Sequence, residues 1–244
     1  MTGTGDLRQV IIGLLGFAMA EERMLLAVSD PGETGGPQRW AALPVIAHNT
    51  EFKQQQVQRL QAIRAGAPIP QFAEVDHARP ETYQAYAAQP ASRVASDCAR
   101  VTADLLDAAG ATGADDLVDP ARHPSLNGRQ LGLQIIVRGF WHPAGHLSDY
   151  YLAHHQADRA LALAAHGLAT ARYVHAPDPV CGMACYSLAC VQARTAQADR
   201  AVETLTAGIT LNPELRANAS RDPDLAGLRE DGRLAAILQE SRIS

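Results

Sequence analysis

Lysine is almost missing from this chain: Lys53 is the single lysine in 244 residues, and arginine supplies the rest of the basic side chains. With a net charge of −5 and no run of basic residues, nothing is built to track a phosphate backbone, which argues against nucleic acid as a main partner. Aromatic residues are scarce at 5%, while alanine is abundant. This favours closely packed helices over sheets, because alanine is the best helix former and strands draw on β-branched and aromatic residues. No stretch is long and apolar enough to span a bilayer, so no membrane role is expected. The four cysteines, Cys98, Cys181, Cys185 and Cys190, lack a zinc-ribbon spacing, and a cytoplasmic chain with reduced thiols is the simplest reading. Cys181 and Cys185 stand one helical turn apart and read as small buried packing residues. A Gly-rich phosphate loop, a nucleophile elbow and a paired-carboxylate signature are also missing, which leaves other enzyme classes little support.

What is present is helical periodicity. An apolar stripe of Ile11, Leu14, Leu15, Ala18, Met24 and Leu25 predicts a first helix over about Leu7 to Val28. Ala18-Met19-Ala20 looks like a small-residue cleavage site, but Asp6 and a lone Arg8 make a poor basic flank, so this segment reads as a core helix rather than a secretory leader. Pro31, Gly32 and the Gly35-Gly36-Pro37 run mark a loop. A second helix is expected from about Trp40 to Ala65, followed by a connector to Pro80. A third helical region starts at Pro80, is interrupted at Pro90, and continues from Arg93 to Ala109 under a Ser92 cap. Residues 114–129 read as a loop, and a fourth helix starts near Gln130. From about Ala157 the pattern changes to shorter helices, ending in a tail of one or two short helices from Pro223 to Leu238. The fold class is therefore all-α.

The chemistry-bearing residues are histidines. His142 and His146 stand four apart, about one helical turn, so they project from one face. His48, on the second helix, supplies a third imidazole. Such a trio closes three corners of a metal's coordination shell and leaves one for water or substrate, the layout of a catalytic rather than a structural site. The competing reading is of ordinary buried, hydrogen-bonded histidines. Imidazole ligands suit a divalent metal such as zinc, nickel or iron without choosing among them. Pro143 lies inside the pair and predicts a kink or a fresh helix start beside a ligand. Glu51, one turn past His48, and Asp149, three residues past His146, are the carboxylates placed to orient the ligand rings from the outer shell; a solvated helix face is the alternative for each. Tyr150 reads as core, and His154 and His155 as surface residues near a helix end; His77 and His123 are not assigned to the metal.

The helix order, with His48 on the second helix and His142-x3-His146 on the fourth, resembles the DinB-like four-helix-bundle superfamily over about residues 5–155. That group includes thiol-dependent transferases and isomerases. The resemblance implies a bundle holding one divalent metal through those histidines and acting on a small molecule with a low-molecular-weight thiol. Pro143 within the histidine pair departs from the superfamily's general pattern. The arginine-for-lysine skew is what a GC-rich genome produces, and with the resemblance it makes mycothiol the thiol to test first. Further on, Cys185-Tyr186-Ser187-Leu188-Ala189 with Ala201, Gly208 and Pro213 resembles one tetratricopeptide repeat, with Ala160 and Gly167 as a degenerate half before it. The expected division is a DinB-like metal-binding domain over 1–155 and a TPR-like helical domain over 156–244. Two functions follow: a metal-dependent thiol transferase activating a thiol or water, or a non-enzymatic metal-binding scaffold recruiting a protein partner through its TPR-like half. A homodimer is compatible with either.

Overall fold

The computed structural model describes residues 6–30, 32–72 and 79–240. Among these residues every regular element is helical, and none of the helices is long and apolar enough to cross a membrane. The chain divides into two compact units, Asp6–His155 and Gln156–Ser244.

The first unit begins with α1 (Leu7–Val28), whose first turn is capped by the Asp6 carboxylate accepting the Arg8 N–H at 3.0 Å. It buries Val10, Ile11, Leu14, Leu15 and Leu25 along one stripe. The second helix, α2 (Ala42–Arg64), is followed by α3 (Pro80–Ala87) and α4 (Ala91–Ala111). Pro90 separates the last two with extended backbone, as expected, but the cap differs. The helix restarts at Ala91, so Ser92 already lies inside it, because the fixed φ of Pro90 ends one helix and pre-sets the next. The stretch read as a loop contains a short helix, α5 (Ala114–Val118), and two 3-10 turns at Pro120–Arg122 and Pro124–Leu126.

The fourth helical run starts at Leu131 as α6 (Leu131–Ile136) and continues through a π-helical segment, Val137–Trp141, into α7 (His142–Ala153). Pro143 lies in the first turn of α7, the fresh helix start that its position allowed. The His142 N–H reaches back five residues to the Val137 carbonyl, and this widened turn takes up the missing N–H and bulky ring that follow. Gly139 in the same segment lets α1 approach: a Cβ there would stand 2.0 Å from the Leu15 side chain. The long helices pack on one another, α2 against α4 and α7, and α1 against α4 and the π segment.

The interior of this unit is unusually polar along α2. His48, Asn49 and Gln56 are 0% exposed and Lys53 1%. Lys53 Nζ meets the Glu22 carboxylate of α1 and donates to Thr102 Oγ1 of α4 at 3.0 Å. Thr102 in turn donates to the Cys98 carbonyl at 2.8 Å, so one buried cluster ties three helices together. The chain's single lysine is thus a core residue.

The second unit holds α8 (Ala157–Tyr173), α9 (Asp178–Arg194) and α10 (Ala198–Leu211) packed in sequence, followed by short α11 (Leu215–Ala219), α12 (Ala226–Glu230) and α13 (Arg233–Glu240). The segment after Asn212-Pro213 carries a helical turn, α11, that its polar sequence did not signal. α9 and α10 cross closely at Gly182 and Gly208: a Cβ on Gly182 would lie 2.8 Å from the Gly208 carbonyl oxygen.

All four cysteines are free and buried. Burial pushes the thiols of Cys98, Cys181 and Cys185 above their usual range, so they stay protonated at neutral pH. Native protein is therefore expected to react slowly with a disulfide reagent such as DTNB and rapidly once unfolded in guanidinium. Fast stoichiometric labelling of the folded chain would contradict this packing.

Candidate metal centre

α2 and α7 bring His48, His142 and His146 together, with one ring nitrogen of each lying within 4.8 Å of the others. Their ring centroids are 4.4 to 5.0 Å apart. The Nε2 atoms of His48 and His142 stand 2.9 Å from each other. A tetrahedral ion with imidazole nitrogens at about 2.0–2.1 Å holds them roughly 3.3 Å apart, so the group fits a metal after a shift of a few tenths of an ångström. Among the described residues this cluster has no carboxylate or thiolate member; its donors are all imidazole nitrogens. His77 lies outside the described residues.

The protonation pattern of His48 follows from its neighbours. Its Nδ1 is 3.2 Å from the Tyr86 hydroxyl oxygen, and that hydroxyl donates to Glu51 Oε2 at 2.7 Å. With its one O–H engaged in the hydrogen bond to the carboxylate, the Tyr86 oxygen is left as an acceptor toward His48, so His48 carries its hydrogen on Nδ1. The Nε2 lone pair then faces the cluster. Burial, reinforced by the hydrogen bond and charge of Glu51, pushes the Tyr86 hydroxyl well above its ordinary range and keeps it protonated.

Glu51 therefore reaches the centre through Tyr86 rather than by touching His48. Asp149 is exposed on α7. Aromatic rings wall the rest. Phe52 stacks on His142 with centroids 4.0 Å apart and planes 14° from parallel, and Trp40 meets His48 edge-on at 5.9 Å. Tyr86 was not singled out in the sequence: it lies 38 residues from His48, and no periodicity links the two.

Glu33 is a second residue without a sequence signal. Its Oε2 accepts the Ala42 N–H at 2.8 Å, capping the start of α2. Its Oε1 accepts the Tyr150 hydroxyl at 3.1 Å and lies 3.0 Å from His154 Nε2. One loop carboxylate thus fixes α2, which bears His48, to α7, which bears the other two histidines. Tyr150 is buried, as read. His154, expected at the surface, is only 11% exposed, because Glu33 and the Tyr150 ring, 4.2 Å away, enclose it. His155 is exposed.

Replacing Tyr86 with phenylalanine leaves His48 Nδ1 without its acceptor. Metal affinity, measured by competition with a chromophoric chelator, should fall roughly 10–100-fold while helical content stays the same. An unchanged affinity would remove Tyr86 from the centre.

No family model matches the chain, and no curated protein or solved structure is similar to it.

Proposed function

We propose that the chain is a metal-dependent enzyme of the DinB-like kind. In this reading His48, His142 and His146 hold one divalent cation, and the site activates a low-molecular-weight thiol, or water, toward an electrophilic small molecule. The Asp6–His155 unit is the DinB-like metal-binding body, and the second unit is the TPR-like region. The observation that carries the reading is the convergence of three imidazoles, with the His48 Nδ1 held by Tyr86 and Glu51 so that its Nε2 faces the cluster. A divalent cation held by neutral ligands keeps its full charge and favours the deprotonated form of a bound thiol or water. The chain's own residues supply the rest. Tyr86 fixes the His48 ring, with Glu51 and Asp149 as the orienting carboxylates. Phe52 and Trp40 limit access of bulk water to the ring nitrogens. The protein's cysteines are buried elsewhere, so the nucleophile comes from solution.

The test is consumption of mycothiol, or of a simpler thiol, by zinc-, nickel- or iron-loaded protein with a panel of electrophiles such as 1-chloro-2,4-dinitrobenzene. Turnover lost in His48→Ala at unchanged helical content supports the reading. Absence of turnover with every thiol, and with water as nucleophile, ends it. A scaffold role is the second reading, and Tyr173, 84% exposed at the end of α8, is the observation in its favour.

A further inference from the structure

Arg138 stands beside the histidine cluster, and Arg59 lies near enough for its charge to act on Arg138. Arg138 leaves the π segment four residues before His142, and its guanidinium carbon lies 5.2 Å from the centre of the Phe52 ring. The same ring stacks on His142, so Arg138 and a candidate ligand share one aromatic side chain. Arg59, on α2 two turns beyond Phe52, lies 4.9 Å from the centre of the Phe72 ring. The Arg138 Nη1 donates to Gln55 Oε1 at 3.3 Å, a neutral acceptor. Among the described residues neither guanidinium meets a carboxylate at ion-pair distance. Both side chains are partly buried. Burial, and then the charge of Arg59, bring the Arg138 guanidinium down to about 10. Burial lowers Arg59 as well.

Four other arginines are arranged differently. Arg93, Arg100, Arg122 and Arg233 each face one or two aspartates. Two neighbouring cations that lose hydration without gaining an anion destabilise the empty fold, and an entering oxyanion reverses that cost. A guanidinium also offers a planar fork of donors that matches carboxylate or phosphate oxygens two at a time.

We infer that Arg59 and Arg138 form an oxyanion subsite next to the histidine cluster, which takes a carboxylate or phosphate group of the substrate. The Phe52 ring sets the spacing: the anion sits about one side chain from the His142 nitrogen, so the substrate's reacting carbon reaches the cluster while its charged end stays on the arginines. This inference rests on the metal-site reading for its orientation, but not for the binding of the anion itself.

Calorimetric titration of the full chain tests it, with succinate and inorganic phosphate as probes and with zinc content measured in parallel. The zinc-loaded wild type should bind one of the two, and which one it binds identifies a carboxylate or a phosphoryl group. Arg138→Gln and Arg59→Gln should each weaken that binding roughly 10–100-fold at unchanged zinc content and helicity. His146→Ala, free of zinc, should retain anion binding that a further Arg138→Gln removes. Absence of binding by either probe, or equal affinity in the arginine variants, overturns the subsite. Binding that disappears in His146→Ala and ignores the arginines places the anion on the metal and overturns it equally. A wild type that holds no zinc yet binds the anion through its arginines would defeat the metal reading while sparing the subsite.

Discussion

His146→Ala is expected to lose stoichiometric metal while keeping its fold. His146 contributes one of three nitrogen donors that lie within 4.8 Å of one another, and among the described residues no further donor joins them. With two imidazoles left, a cation retains only part of its coordination shell and exchanges readily with water. The fold should persist, because this unit's apolar packing comes from other positions: Val10, Ile11, Leu14, Ile46, Leu105, Ile135 and Leu147 are each 0% or 1% exposed. His146 itself is only partly buried. Elemental analysis after dialysis against a weak chelator, with circular dichroism on the same sample, reads both halves of the prediction. Metal retained at wild-type level, or a collapse of helicity with metal loss, would each contradict it.

Lys53→Met is expected to be the most destabilising single substitution of the two buried charges' environment. The ammonium of Lys53 and the carboxylate of Glu22 are 1% and 0% exposed. Removing the lysine leaves the carboxylate with the Cys98 thiol, 3.8 Å from its Oε2, and with an Oε1 that already has no hydrogen-bond partner. Breaking a buried pair in this way costs about 3–5 kcal/mol, a large part of the ~5–15 kcal/mol that holds a typical domain folded. The double variant Glu22→Leu/Lys53→Met removes both charges and should recover most of that loss, since well-packed apolar residues often replace a buried pair at little net cost. Urea unfolding of the wild type, Lys53→Met and the double variant forms the test. A single variant within about 1 kcal/mol of wild type, or a double variant less stable than the single, would show that the pair is not isolated from water.

The helical class was legible because alanine content and 3.6-residue periodicity act locally. The span of α1 could be read from its apolar stripe and from the Pro31-Gly32 break that follows it. The juxtaposition of His142 and His146 was legible for the same local reason, and His48 could be added because its helix was placed. The features that required the structure are long-range or depend on unusual backbone. Tyr86 reaches His48 across 38 residues, and Tyr150 reaches Glu33 across 117. The π segment adds one residue to a turn without altering the apolar pattern around it, so Pro143 signalled the helix start of α7 but not the widened turn before it. Lys53 precedes a run of three glutamines with no local sign of burial, and the position of Glu22 on α1 explains why it is buried.

The most direct test of the metal centre is X-ray absorption at the metal edge of protein loaded with zinc. A three-histidine centre gives a first shell of nitrogen or oxygen at about 2.0–2.1 Å, with the outer-shell scattering of imidazole rings, and loses that imidazole signal in His146→Ala. A sulfur shell at about 2.3 Å, or a wild-type chain that holds no metal at all, would contradict it.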